Sequence, residues 1–300
     1  MYDIIIVGAG PAGLTAAIYA CRAEKKTLVL EAKTFGGQII NTPDIANYPV
    51  APNISGFDFA MTLYNQAKDL GAEIKIEKVT EFKDGPVKTV VTPKNTYEAK
   101  TVILATGAEN RKLGIADEDK LIGKGISYCA TCDGNFFRKK IVAVAGGGNT
   151  AVEDAIYLAD LAETVYLIHR RDTFRADAAM VSKLKEKPNV KFVLNATVTK
   201  LISDARLTAI EVTDKQTGEV QTLPVNGLFV AVGQVPENEN FRALVTLDAG
   251  GYIVAGENCH TNLPGIFAAG DNRVKEVRQL VTAAADGAVA ATEAIKYLNM

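Results

Sequence analysis

The sequence has no tryptophan, two histidines, four cysteines and ten prolines in 300 residues, and each shortage closes off a class of protein. Four cysteines are too few for the disulfide framework of a secreted scaffold. Ten prolines against 25 glycines point to many tight turns rather than to a proline-rich linker protein. Lysine and arginine together number 33 and the acidic residues 35. No basic excess exists to track a phosphate backbone, so nucleic acid is not the expected partner. No apolar run reaches the roughly 18 to 20 residues that a membrane helix needs, so no membrane partner is expected either. The run Ile4-Ile5-Ile6-Val7 has no basic segment ahead of it and is broken by Gly8-Ala9-Gly10-Pro11, which is not the pattern of a targeting signal. The expected address is the cytoplasm, where a persisting disulfide is usually catalytic. A hydrophobic share of 48% and this length fit a globular chain of about two domains.

What is present is organised around two glycine-rich turns. Tyr2 to Val7 reads as a strand buried on both faces. Gly8-Ala9-Gly10-Pro11-Ala12-Gly13 follows, and Leu14 to Ala20 is rich in helix formers. In this strand–turn–helix setting G-x-G-x-x-G is a dinucleotide fingerprint. Gly8 permits the sharp turn, Gly10 lets backbone approach a pyrophosphate, and Gly13 lets helix and strand pack closely. The helix N-terminus offers free N–H groups to the anion. A second strand-like run, Thr27 to Leu30, ends at Glu31, a carboxylate suited to both ribose hydroxyls and repelling a 2′-phosphate.

The same grammar recurs halfway along. Lys140 to Ala145 reads as a strand, Gly146-Gly147-Gly148-Asn149-Thr150-Ala151 is G-x-G-x-x-A, and Val152 to Ala162 reads as a helix. Thr164 to Ile168 is the next strand. Counted from the first glycine, the position equivalent to Glu31 is His169, followed by Arg170, Arg171 and then Arg175. Guanidinium forks match phosphate bidentately, so this turn is read as an NADP site. FAD with NADPH fits the two turns, and so does NAD with NADP.

Cys129-Ala130-Thr131-Cys132-Asp133 lies ahead of the second turn. Two thiols at this spacing close into a disulfide readily. The rival is a zinc site completed by Cys259 and His260, but adjacent Cys259-His260 makes an awkward chelate. No metal is therefore expected. A redox dithiol sharing a chain with an NADPH site needs a carrier between them, which makes FAD the natural occupant of the first turn. It also needs an acid. Asp133 adjoins Cys132, and burial would raise its pKa enough for it to hold a proton. Its alternative role is a helix N-cap.

With these residues in place, the chain resembles the low-molecular-weight, bacterial-type thioredoxin reductases along essentially its whole length. The matching motifs run in family order: Gly8 to Gly13; Gly36-Gly37-Gln38; Asn47-Tyr48-Pro49; Ala105-Thr106-Gly107; Cys129 to Gly134; Gly146 to Ala151; His169-Arg170-Arg171 with Phe174-Arg175; Phe267 to Asp271; and Arg278-Gln279. The resemblance implies an α/β fold of two Rossmann-like domains, with an NADPH domain (114–239) inserted into a discontinuous FAD domain (1–113 and 240–300). It implies electron flow from NADPH to FAD to Cys129–Cys132 to oxidised thioredoxin, and a homodimer. It places Pro11, Ala12, Gly37, Gln38, Asn47, Ala105, Thr106, Gly107, Gly270, Asp271, Arg278 and Gln279 about the flavin, and Gly146, Gly148, Asn149 and Thr150 about NADPH. It further implies that the inserted domain rotates about connections near Gly114 and Asn240. The chain departs from the usual pattern at Asn272-Arg273, where relatives commonly carry a small apolar residue, and at Val277. A related flavoprotein serving a partner other than thioredoxin, or using another electron donor, is the alternative.

Overall fold

A computed structural model describes residues 1–42, 44–45, 47–50 and 54–300. The chain forms two compact units, residues 1–109 with 235–300 and residues 110–234. The sequence places the edges at 113/114 and 239/240; the compact units meet at 109/110 and 234/235.

In the first unit, the elements are β1 (Tyr2–Val7), α1 (Pro11–Arg22), β2 (Thr27–Glu31), α2 (Gly56–Asp69), β3 (Glu73–Ile76), β4 (Glu81–Lys83), β5 (Lys88–Val91) and β6 (Thr96–Leu104). After β6 the chain leaves through β7 (Ala108–Asn110). The second unit holds β8 (Ile126–Ser127), α3 (Ala130–Asp133), β9 (Ile141–Gly146), α4 (Asn149–Ala159), β10 (Thr164–Ile168), α5 (Ala178–Lys185) and β11 (Val190–Val193). It continues with β12 (Ala196–Ser203), β13 (Leu207–Asp214), β14 (Val220–Pro224) and β15 (Gly227–Ala231). The chain returns through β16 (Gln234–Pro236), which pairs with β7, and ends in the first unit with β17 (Ile266–Ala268) and α6 (Leu280–Leu298).

The central strands are parallel in both units. In the first the order is β3-β2-β1-β6, with β17 also parallel on β6 and the antiparallel pair β5-β4 continuing the sheet. In the second the order is β11-β10-β9-β15-β8, all parallel, beside a separate antiparallel sheet β12-β13-β14. A parallel sheet is covered on both faces, which is why its strands read as nearly continuous apolar runs. The alternation of a strand then divides each run between two cores. Ile4 and Ile6 pack with Leu14 and Ala17 of α1 and Ala290 and Ala294 of α6, whereas Ile5 joins Phe82, Val90 and Phe241 on the other face. Likewise Val142 and Val144 pack with Val152 and Leu158 of α4, while Ala143 and Ala145 meet Val198, Ile210 and Val212.

One contact in the first unit brings two helices together at their backbones. A Cβ on Gly287 would stand 2.1 Å from the carbonyl oxygen of Ala12, so α6 crosses the first turn of α1 with backbone nearly touching backbone. Ala283, Ala290, Ala291 and Ala294 continue that small-residue surface into the core. Among the described residues no helix is long and apolar enough to cross a membrane.

Candidate active site

At the first turn the chain leaves β1 at Gly8, whose φ of 109° lies in the region that only glycine adopts freely. A Cβ there would stand 2.2 Å from the carbonyl oxygen of Ala105, and one on Gly13 would stand 1.9 Å from that of Gly8. These two glycines lock helix, strand end and turn together. Gly10 differs: a Cβ there would meet nothing closer than the Cα of Gly37 at 3.9 Å. Gly10 is the N-cap of α1 and makes no side-chain capping bond. Pro11, lacking an N–H, sits where none is needed, and helix geometry leaves the N–H groups of Ala12 and Gly13 without an intrahelical acceptor.

Glu31 is built into this turn. Its Oε2 accepts the Ala9 N–H at 2.7 Å and its Oε1 the Lys33 N–H at 2.8 Å. Gly36 donates its N–H to Ala9 at 2.7 Å, and the exposed Gly37 and Gln38 open the 3-10 turn Gly37–Asn41. On the opposite rim, Ala105, Thr106 and Gly107 follow β6, and Gly270 and Asp271 follow β17. Gly270 has φ 88°, and a Cβ on it would stand 2.9 Å from that of Ala12. Asp271 Oδ1 and Arg278 Nε are buried and without a hydrogen-bond partner. Burial raises the Asp271 pKa, against the pull of Lys275 and Arg278. The Arg278 guanidinium lies 4.2 Å from the centre of the Tyr252 ring. Gln279 caps α6 reciprocally with Thr282 and accepts a hydrogen bond from Asn47 Nδ2 at 3.0 Å.

Several residues that sequence reasoning missed hold this rim. Asp286 of α6 accepts the Gly270 N–H at 2.9 Å, Arg273 Nε and Nη2 each at 2.8 Å, and Lys275 Nζ at 2.8 Å. Asn238 accepts the Thr106 hydroxyl at 3.0 Å and donates to the carbonyl oxygens of Gly251 and Asn272. Asn272 in turn donates to Leu104 and Thr106. The departure at Asn272-Arg273 thus places two buried polar side chains behind the turn. A glycine directly after Asp286, inside an otherwise helical run, is the signal that could have drawn attention there.

The second turn repeats the first with a different rim. A Cβ on Gly146 would stand 2.3 Å from the carbonyl oxygen of Ala231, and one on Gly148 meets nothing within 4 Å. Gly148 is the N-cap of α4, again without a side-chain capping bond, and Asn149 and Thr150 begin the helix. His169 is buried, 5% exposed, and a Cβ on Gly147 would stand 2.1 Å from its ring. Its Nε2 faces the Thr173 carbonyl oxygen at 3.0 Å and its ring stacks on Phe174. Burial first, and the neighbouring arginines after it, lower its pKa. Arg170, Arg171 and Arg175 are exposed. The Arg175 N–H donates to Gly147 at 2.8 Å, and Asn149 Oδ1 accepts the Asp177 N–H at 3.0 Å. The arginine loop is therefore tied to the glycine turn through backbone. Asp154, on the same helix α4, was also missed; burial and Glu153 push its pKa up to about 7.

Cys129 and Cys132 are joined in a disulfide at the single-turn helix α3. Cys129 is the N-cap, its Sγ receiving the Cys132 N–H at 3.2 Å. Gly134 packs the turn against Tyr157, Leu158 and Leu161, in the second half of α4 and beyond it, whereas Gly148 begins that helix. The dithiol and the glycine turn thus use opposite ends of α4. Burial raises the Asp133 pKa, its Oδ1 is buried without a partner, and its side chain makes no capping bond to the following 3-10 turn. Cys259 is fully buried with Sγ aimed at the Asp286 carbonyl oxygen, and His260 pairs with Glu293. Among the described residues no group of three or more His, Cys, Asp or Glu is placed to hold a metal.

The residues present fit two dinucleotides. At each turn the middle glycine borders open space, the helix behind it has no side-chain cap, and in the first unit the buried atoms Asp271 Oδ1, Asn272 Oδ1 and Arg278 Nε stand without protein partners. The chain belongs to the pyridine nucleotide-disulphide oxidoreductase family, whose model matches residues 2–288; FAD and NADPH are the cofactors. Within it, the chain is similar to thioredoxin reductases. That of Listeria innocua serovar 6a is 45% identical over 301 residues, spanning 100% of this chain and 94% of the relative. That of Peptoclostridium acidaminophilum is 43% identical over 307 residues, spanning 100% and 98%. The crystal structure of the Streptococcus pyogenes MGAS5005 thioredoxin reductase matches with a TM-score of 0.95 at 39% identity, covering 100% of this chain and 98% of that one.

Proposed function

We propose that the protein is an NADPH-dependent flavoprotein reductase of the disulfide in thioredoxin or a thioredoxin-like protein. The observation that carries this reading is the Cys129–Cys132 disulfide followed directly by a buried carboxyl without a capping role. FAD is assigned to the first unit, with its pyrophosphate at Gly8, Gly10 and Gly13, its ribose on Glu31, and Asp271, Arg278, Gln279 and Asn47 about its flavin end. NADPH is assigned to Gly146, Gly148, Asn149 and Thr150, with Arg170, Arg171 and Arg175 as readers of the 2′-phosphate. His169, turned inward, supports their loop. When bound, NADPH supplies a hydride and FAD relays its electron pair to a disulfide.

Two electrons entering the Cys129–Cys132 bond leave two sulfurs that need a proton between them, and Asp133, whose pKa burial raises, supplies it. The Cys129 sulfur already receives the Cys132 N–H, a donor that favours a thiolate at that atom. That thiolate attacks the substrate disulfide and forms a mixed disulfide; Cys132 then closes the internal disulfide and the substrate departs as a dithiol. The family resemblance supports a homodimer, and the sparing use of cysteine supports a cytoplasmic address.

The test is a steady-state comparison of NADPH and NADH with thioredoxin-like substrates. Purified protein should be yellow and prefer NADPH; a colourless preparation that cannot be reconstituted with FAD would remove the assignment of the first turn. Cys132→Ser should abolish disulfide reduction while NADPH still bleaches the flavin. Loss of both would contradict the electron order.

A further inference from the structure

We infer that Asn238 and Asn272 are positioning residues that fix the Thr106 hydroxyl as a hydrogen-bond acceptor toward FAD, so that it meets an O–H or N–H of the cofactor and not its pyrophosphate. Both asparagines are buried, 1% and 0% exposed, and Thr106 is half-buried just past the end of β6. The Asn238 amide nitrogen donates to the carbonyl oxygens of Gly251 at 2.9 Å and Asn272 at 2.8 Å. Carbonyl oxygens only accept, so this amide cannot be turned over, and Asn238 Oδ1 is the atom that faces Thr106 Oγ1 at 3.0 Å. The Thr106 proton must therefore lie toward Asn238. Asn272 Nδ2 donates to the Leu104 carbonyl oxygen and to Thr106 Oγ1, each at 3.0 Å, and its orientation is likewise fixed by a main-chain acceptor.

A threonine hydroxyl has one proton and two lone pairs. Here the proton and one lone pair are committed to the two asparagines, and what remains can only accept. This hydroxyl belongs to the rim of the first glycine turn. A Cβ on Gly8 would stand 3.3 Å from the Thr106 nitrogen, and the next residue, Gly107, has φ 70° with nothing within 4 Å of its Cβ position. Phosphate oxygens are acceptors and find no proton at Thr106, whereas FAD carries hydroxyls and N–H groups that do find an acceptor there. The arrangement has a cost, since Asn272 Oδ1 is buried without a partner and an apolar side chain would leave no such atom. That the chain keeps an asparagine here fits a task for its Nδ2, which is to hold the hydroxyl.

This inference rests on the assignment of FAD to the first unit, and the experiment separates the two. Holoenzyme is mixed with excess isotopically labelled FAD, and exchange of the bound cofactor is followed by mass spectrometry. Thr106→Val should speed release about tenfold, the upper end for a neutral hydrogen bond, and Thr106→Ser should restore the wild-type rate. Asn238→Leu frees the Thr106 proton to swing against the donor, and should speed release to a similar degree. Asn272→Val should do so by less, and serves if the leucine variant does not fold. In the Thr106→Val background both asparagine variants should add little, because the group they orient is gone. Equal acceleration in both backgrounds would reduce the asparagines to main-chain braces and overturn the proposal. An unchanged release rate in Thr106→Val would also overturn it, with the cofactor assignment left standing. Wild-type protein that holds no FAD would remove that assignment, and this inference with it.

Discussion

The two glycine turns use one backbone design and differ in what surrounds it. In each, the first glycine lies against the carbonyl oxygen of an alanine, Ala105 just past the end of β6 or Ala231 at the end of β15, and the middle glycine borders open space. The first turn is then closed in: Gly13 touches Gly8, α6 crosses at Gly287, and Glu31 is bonded to the backbone of the turn itself. The second is left open. Its third position is Ala151, a Cβ on Gly148 meets nothing within 4 Å, and the groups beside it are exposed guanidiniums on a loop. A closed, acid-rimmed turn suits a ligand that stays, whereas an open, cationic one suits a ligand that exchanges at each turnover.

The most severe way to break this comparison is to pry the closed turn apart. Gly13→Val would press a branched side chain into the Gly8 carbonyl, and the purified variant should carry no flavin by its absorbance ratio. Retention of FAD would show that the close contact is not required. Next in size, Arg170→Ala with Arg171→Ala should raise KM for NADPH about a hundredfold and leave that for NADH nearly unchanged. Two charged contacts to a phosphate are together worth roughly 3 kcal/mol. Equal changes with both nucleotides would dispose of the phosphate role.

Smaller effects sharpen the contrast. Glu31→Gln keeps an acceptor for the Ala9 N–H but removes the charge, and should weaken FAD binding to apoprotein about tenfold, or roughly 1.4 kcal/mol. An unchanged dissociation constant would sever Glu31 from the ribose. The smallest effect concerns His169. Its folded pKa lies below the ordinary value, so between the two the unfolded chain binds more protons and stability rises with pH. The melting temperature of the second unit should therefore fall as pH drops through about 6.5, and His169→Gln should flatten that slope. A slope that persists would assign it to another group.

Much of the fold around the candidate site was legible because short-range rules wrote it. Tyr2 to Val7 and Thr164 to Ile168 could be read as strands, since a buried parallel strand needs an unbroken apolar run. The glycine spacings could be read because backbone contact tolerates no side chain. The antiparallel sheet β12-β13-β14 was not read at all: its strands mix exposed lysine and threonine with apolar residues over irregular lengths, and carry two register shifts. His169 was placed with the arginines by count. Burial and a stacked Phe174 give it a different task from its neighbours. Asn238 and Asp286 were missed because each acts across a gap in sequence, and common polar residues at such sites carry no local signature.

By itself the amino-acid order determined the pair of glycine turns, the opposite charges beside them, and the vicinity of two sulfurs and a carboxyl, since all of these are set within a few residues by backbone geometry and side-chain chemistry. Only the tertiary structure decided which of those groups are buried. Burial is the joint effect of segments distant in sequence, such as α6 laid across α1 or α4 beneath the dithiol turn, and it governs how far Asp133, Asp271 and His169 depart from their ordinary protonation.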